Sequence, residues 1–186
     1  MLKKKWSRPE CKRVKLVPEE AVLTGCKAGG QSGPSGTYNC AGKGGPLYGP
    51  QLFDRFFKKP YLRIIDRLNR AGIRSIWLDS DGDPEVLVPL WMDVGVNVFW
   101  PLEQASNMDP LRLRKKFGKQ LILCGGLDKI EIAKGKAAID RELYAKIPPL
   151  LDQGGYIPHV DHAVSPEISY SDFLYYMELK MKLIGR

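Results

Sequence analysis

Apolar residues in the last two-thirds of the chain gather into four short runs: Ser75-Ile-Trp-Leu-Asp79, Val96-Asn-Val-Phe-Trp100, Gln120-Leu-Ile-Leu-Cys124 and Gly155-Tyr-Ile-Pro-His159. Each leads into a carboxylate, a histidine or a Gly pair, and a stretch with helical spacing follows. Strand then helix, repeated, specifies an α/β fold with a parallel sheet, and chemistry in such sheets gathers beyond the carboxyl ends of the strands. Asp79 and Asp81 follow the first run, Glu103 the second, Asp128 the third, and His159 and His162 the fourth. The pattern therefore predicts one polar rim.

The helical stretches carry their own start and stop signals. Leu52, Phe53, Phe56, Phe57, Leu62, Ile65 and Leu68 recur at three- and four-residue spacing over 50–71, with Pro50 in the first turn and Gly72 as the stop. Pro60 is expected to kink or divide that helix. Asp83-Pro84 opens a second helix that runs to about Val94, and Asp109-Pro110 opens a third that runs to about Phe117. A long pattern covers about 136–152, and an amphipathic helix over 166–184 offers Phe173, Leu174, Met177 and Met181 to the sheet. The order is α-βα-βα-βα-βα.

Four such units are half of an eight-stranded barrel. A closed (β/α)8 barrel needs ~250 residues, and the patterned body supplies about 140, so the expected fold is a partial TIM barrel of about four C-terminal units. Such a half-barrel has two unpaired strand edges and an apolar inner face, which predicts self-association or pairing with a complementing chain, and suggests truncation.

Charge sharpens this division. The net charge is +8, but residues 1–45 hold nine Lys/Arg against three Glu, and the remainder holds twenty against eighteen acidic residues. The basicity sits in a leader, residues 1–41, whose second half is rich in Gly, Ser and Pro; it reads as disordered or non-native rather than as a nucleic-acid-binding arm. No run approaches the ~18 apolar residues of a membrane span, and the basic start has no apolar h-region, so the expected location is cytoplasmic. Cys11, Cys26, Cys40 and Cys124 form no C-x-x-C pair and read as free thiols.

Within the rim, Asp79-Ser-Asp-Gly-Asp83 opens like a calcium loop but lacks the sixth-position Gly and has Leu90 at the twelfth position. Asp79 and Asp81 are site candidates, and Asp83 a helix cap. His159 and His162 are the only histidines. Strand alternation points His159 and Asp161 one way and brings His162 in from the loop beyond. Asp79, Asp81 and His162 are thus the candidate catalytic residues, with Glu103, Asp128 and His159 as candidate substrate contacts. Cys124 reads as a buried strand residue.

Taken together, Gly44-Gly-Pro-Leu with Pro50-Gln-Leu-Phe-Asp-Arg-Phe-Phe57, Leu78-Asp-Ser-Asp-Gly-Asp83, Val94-Gly-Val-Asn with Pro101-Leu-Glu103, Gly125-Gly-Leu-Asp-Lys129 and Gly154-Gly-Tyr-Ile-Pro-His-Val-Asp-His162 resemble the C-terminal half of the uroporphyrinogen decarboxylase superfamily over residues 42–186. The resemblance implies a TIM barrel and a small-molecule substrate. It points to cofactor-free decarboxylation of a tetrapyrrole, as in porphyrin biosynthesis, or, alternatively, corrinoid-dependent methyl transfer on zinc. A non-catalytic fragment that complements another chain is the alternative of a different class. His162 falls where the decarboxylases place a substrate-contacting histidine and the methyltransferases a zinc-binding cysteine. Asp79 and Asp81 fall on the methyltransferases' His-x-Cys motif. A hard Asp/Asp/His set suits a divalent metal other than thiolate-bound zinc, or direct hydrogen bonding to substrate.

Overall fold

The computed structural model describes residues 41–42 and 44–185, so the expectation for the leader lies outside the described residues except at Ala41. Ala41–Gly42 (β1) pairs antiparallel with Gly45–Pro46 (β2). Composition marks this end of the Gly-rich stretch as unable to order itself, yet it is anchored: Tyr48 stacks on Phe57 with ring centroids 4.6 Å apart.

The first long helix, α1, is a rod of three segments, Pro50–Leu52, a π-turn Phe53–Phe57, and Lys58–Arg70. Pro60 accounts for the division. It has no N–H to give Phe56 four residues back and its ring crowds that carbonyl, so the ladder slips by one residue just upstream and Lys58 N–H bonds Phe53 O. Phe53, Tyr61, Ile64 and Ile65 form the buried stripe of this rod.

Four parallel strands follow in sequential order: Trp77–Asp79 (β3), Val98–Trp100 (β4), Ile122–Cys124 (β5) and Tyr156–Ile157 (β6). They are shorter than the apolar runs that announce them, because the flanking residues bend into the loops. The connecting helices are Val88–Val94 (α2), Pro110–Phe117 (α3), Lys129–Ile132 (α4) and Lys136–Gln153 (α5), and Tyr170–Leu183 (α6) closes the chain. Asp109 caps α3 as expected, accepting from Arg112 N at 2.9 Å. The second helix departs from expectation. Asp83 accepts from Glu85 N, a 3₁₀ turn covers Glu85–Leu87, and the α-helix begins only at Val88 because Pro89 has no N–H to give Glu85. The last helix also starts later than 166. Ser169 caps it, and its buried positions are Tyr176 and Leu179, with Leu174 left 49% exposed.

A sequential parallel order with no reversal places every right-handed crossover on one side of the sheet. The burial pattern agrees. Leu78, Phe99, Leu123 and Tyr156 share one register row and all belong to the hydrophobic core beneath the helices. The opposite face carries Trp77, Val98 and Ile122 in one row and Asp79 beside Trp100 and Cys124 beside Ile157 in the next, and none of these joins that core. Trp77 is 51% and Ile157 40% exposed. Among the described residues the helices thus cover one face, and the other is partly open, with Val98 and Cys124 buried on it and Trp77 and Ile157 exposed.

Both edges are open among the described residues. Val98 N bonds Ile76 O and Ser80 N bonds Trp100 O, so the backbone groups of Trp77 and Asp79 point outward from β3. On β6, Gly155, Ile157 and His159 turn their carbonyls to β5, which leaves Tyr156 and Pro158 on the outer edge. No helix of the described residues is long and apolar enough to cross a membrane.

Candidate functional site

The loops beyond the carboxyl ends of the two outer strands meet. On a flat sheet β3 and β6 stand three strand spacings apart, about 14 Å, yet His162 Nε2 lies 3.4 Å from Asp81 Oδ1. The loops beyond the strands must lean inward over the sheet to meet. Gly125 makes the approach feasible: at φ +105° it has no side chain, and a Cβ there would lie 3.1 Å from Leu102 N and 3.3 Å from Val160 O. The loops after β4, β5 and β6 touch at this point.

Three of the expected site residues form one cluster. Asp81, Glu103 and His162 each offer a ligand atom, and these atoms all lie within 4.8 Å of one another. Asp81 is mostly buried, whereas the His162 side chain is 41% exposed, so the imidazole is the solvent-facing member. The Glu103 carboxylate is held by Gly82 N at 2.8 Å and by Ser106 Oγ at 3.3 Å, which binds the β4 loop to the β3 loop. Asp79 stands at the end of β3 beside this cluster. Partial burial, and then the neighbouring Asp81 carboxylate, raise its pKa above the ordinary aspartate value, with His162 pulling the other way.

The other candidates serve elsewhere. Asp128 caps α4 by accepting from Ile130 N at 2.8 Å, and lies outside the cluster. His159 packs its ring edge-on to Trp100, with centroids 6.3 Å apart, and its Nδ1 lies 2.8 Å from Val160 O. Cys124 is buried, which pushes its thiol pKa up to about 11, and a protonated thiol is a poor nucleophile.

Sequence reasoning missed the polar scaffold behind the rim. Lys146, on α5 and almost fully buried, spends its three donors on Gln104 Oε1 at 2.9 Å, Gly126 O at 2.8 Å and Glu142 Oε1 at 2.5 Å. Glu142 also accepts from Asp128 N. In sequence, Glu142 and Lys146 read as an ordinary surface pair one helical turn apart, and nothing local marks them as buried. Asp161, 1% exposed, accepts from Gln104 N, Lys129 N and Lys129 Nζ.

Two carboxylates and an imidazole on one concave rim can act in two ways. When protonated, the His162 ring beside Asp81 can hand a proton to a substrate, while the carboxylates accept hydrogen bonds. Alternatively, the three can close by small side-chain turns around a cation with bonds of ~2.1 Å. Comparison with known families and with curated proteins finds no match for this chain.

Proposed function

We propose that the four-stranded sheet is the C-terminal half of a (β/α)8-type barrel of the uroporphyrinogen decarboxylase kind, and that its rim decarboxylates a tetrapyrrole with His162 as proton donor. The observation that carries this reading is the contact between Asp81 and His162, 3.4 Å apart although they arise from the two outermost strands. Loops that lean inward to meet over the carboxyl ends of parallel strands are what the rim of such a barrel has. The one-sided core and unreversed strand order support the same reading.

The chemistry follows from the groups present. Loss of carbon dioxide from an acetate side chain leaves an electron pair on carbon, and a proton must arrive there. His162 is the solvent-facing member of the cluster, and in its protonated form it is the group placed to give that proton, with Asp81 Oδ1 3.4 Å from its Nε2. Asp79 and Asp81 would accept pyrrole N–H groups. No cofactor is required for this route.

The clustering of Glu103 with Asp81 and His162 favours a second reading. Two carboxylate oxygens and an imidazole, without a thiolate, fit a magnesium- or manganese-like cation better than thiolate-bound zinc. Such a cation would supply Lewis-acid activation of a methyl donor's partner in the methyltransferase branch. In either reading the open edges call for a second copy or a complementing chain.

Carbon dioxide release from an acetate-bearing porphyrinogen, measured with the full chain, tests the proposal. Release should fall about a hundredfold in His162→Asn, which keeps a hydrogen bond but cannot titrate near neutrality, with the melting temperature nearly unchanged. No release by the folded wild-type chain at any concentration would overturn the decarboxylase reading. Tight manganese binding without release would favour the second.

A further inference from the structure

We propose that Asp161 is the positioning residue of this rim, its carboxylate setting the spacing of Glu103 and His162 by stapling together the loops that follow β4, β5 and β6. The proposal rests on the reading of the rim as the reactive site. Asp161 is 1% exposed, and a carboxylate so far from water is tolerated only when its oxygens are well hydrogen-bonded. Its partners come from two other loops. Gln104 N donates to Oδ2 at 3.1 Å, while Lys129 N and Nζ donate to Oδ1 at 3.2 and 3.4 Å.

Two features separate this arrangement from ordinary capping. Two of the three donors are main-chain N–H groups, so the bonds fix backbone positions rather than flexible side-chain ends. In addition, Gln104 directly follows Glu103 and Asp161 directly precedes His162, so one carboxylate sits a single residue from each. Asp161 N–H meanwhile bonds Leu127 O at 2.8 Å, which locks its own loop to the β5 loop.

The staple is braced from behind. Gln104 cannot drift with its partner, because its Oε1 accepts from Lys146 and its Nε2 donates to Leu102 O and Met108 O. From that fixed point Glu103 reaches Gly82, and from the other side His162 reaches Asp81. Removing the Asp161 carboxylate leaves the strand pairing and the apolar core intact. What is lost is the convergence of the loops.

Asp161→Asn in the full chain is the test, because asparagine keeps one acceptor oxygen but turns an NH₂ toward one of the two backbone donors. Amide hydrogen exchange should quicken tenfold or more over 80–83, 102–107 and 127–130, with β4 and β5 unchanged; Lys129→Met, which spares both backbone bonds, should change neither. Turnover of carbon dioxide release should drop at least tenfold while KM stays within about threefold. Exchange that rises equally throughout the sheet, or nowhere, overturns the proposal. If Asp161→Asn does not fold, Asp161→Glu keeps both oxygens one methylene further out and should reproduce the loop-confined exchange; failure of both to fold also overturns it, by making Asp161 part of the core. If the wild type releases no carbon dioxide, the decarboxylase reading falls and the exchange measurement still decides the role of Asp161.

Discussion

Asp79 ends an edge strand with Asp81 two residues on, and its raised pKa makes it a liability to the fold at neutral pH. The sign follows from linkage. Between the ordinary aspartate value and Asp79's higher folded value, the native state holds more proton than the unfolded chain, so stability falls as pH rises through that window. Asp79→Asn should therefore stabilise the protein at pH 7, by about 0.5 kcal/mol or less because the side chain is well exposed to solvent, and should flatten the pH dependence on the high side of the ordinary aspartate range. Equilibrium denaturation across pH measures both, and a less stable variant at pH 7 would contradict the argument. Asp79 and Asp81 were legible because two carboxylates close an apolar run. Asp161 was not: it lies in the same Pro-His-Val-Asp-His stretch as the histidines, and only its burial against loops dozens of residues away separates staple from site.

Helix boundaries were legible wherever a cap or a glycine writes them into the chain. Asp109 opens α3, and Gly95, at φ 106°, closes α2 in the left-handed region. The π-turn and the late start of α2 were partly legible, since a proline's missing N–H is visible but the register the ladder adopts around it depends on packing. Arg114 was not legible. It falls in the run Arg112-Leu-Arg-Lys-Lys116, which reads as a solvated face, yet it is 3% exposed and donates to Gly118 O at 2.5 Å, Leu121 O at 3.0 Å and Gly155 O at 2.5 Å. One guanidinium thus joins the end of α3 to the starts of β5 and β6. Arg114→Ala should strand those carbonyls and cost about 1–3 kcal/mol, a fall in melting temperature of roughly 2–4 °C per kcal/mol for a chain of this size. A melt within 1 °C of wild type would mean that water replaces the guanidinium.

At the scale of the molecule, the sheet has a dry face and, among the described residues, a partly open one. The open part presents Trp77 and Ile157, with Trp77 more than half exposed, beside half-buried Trp100 and Ile122, and such a surface favours association in water. Sedimentation velocity of the purified chain should show a weight-average coefficient that climbs with concentration, and a compact monomer throughout the micromolar range would count against the half-barrel reading. The two ends of the sheet would not take part equally. The outer edge of β3 offers the N–H groups of Trp77 and Asp79, whereas β6 has Pro158 where a donor would stand. The molecule thus has a socket at one end and a blunted plug at the other. A ring of two copies and an open head-to-tail row lose that one hydrogen bond at each junction alike. The proline therefore weakens every contact made through this edge and leaves the choice between closure and growth to the curvature of the sheet.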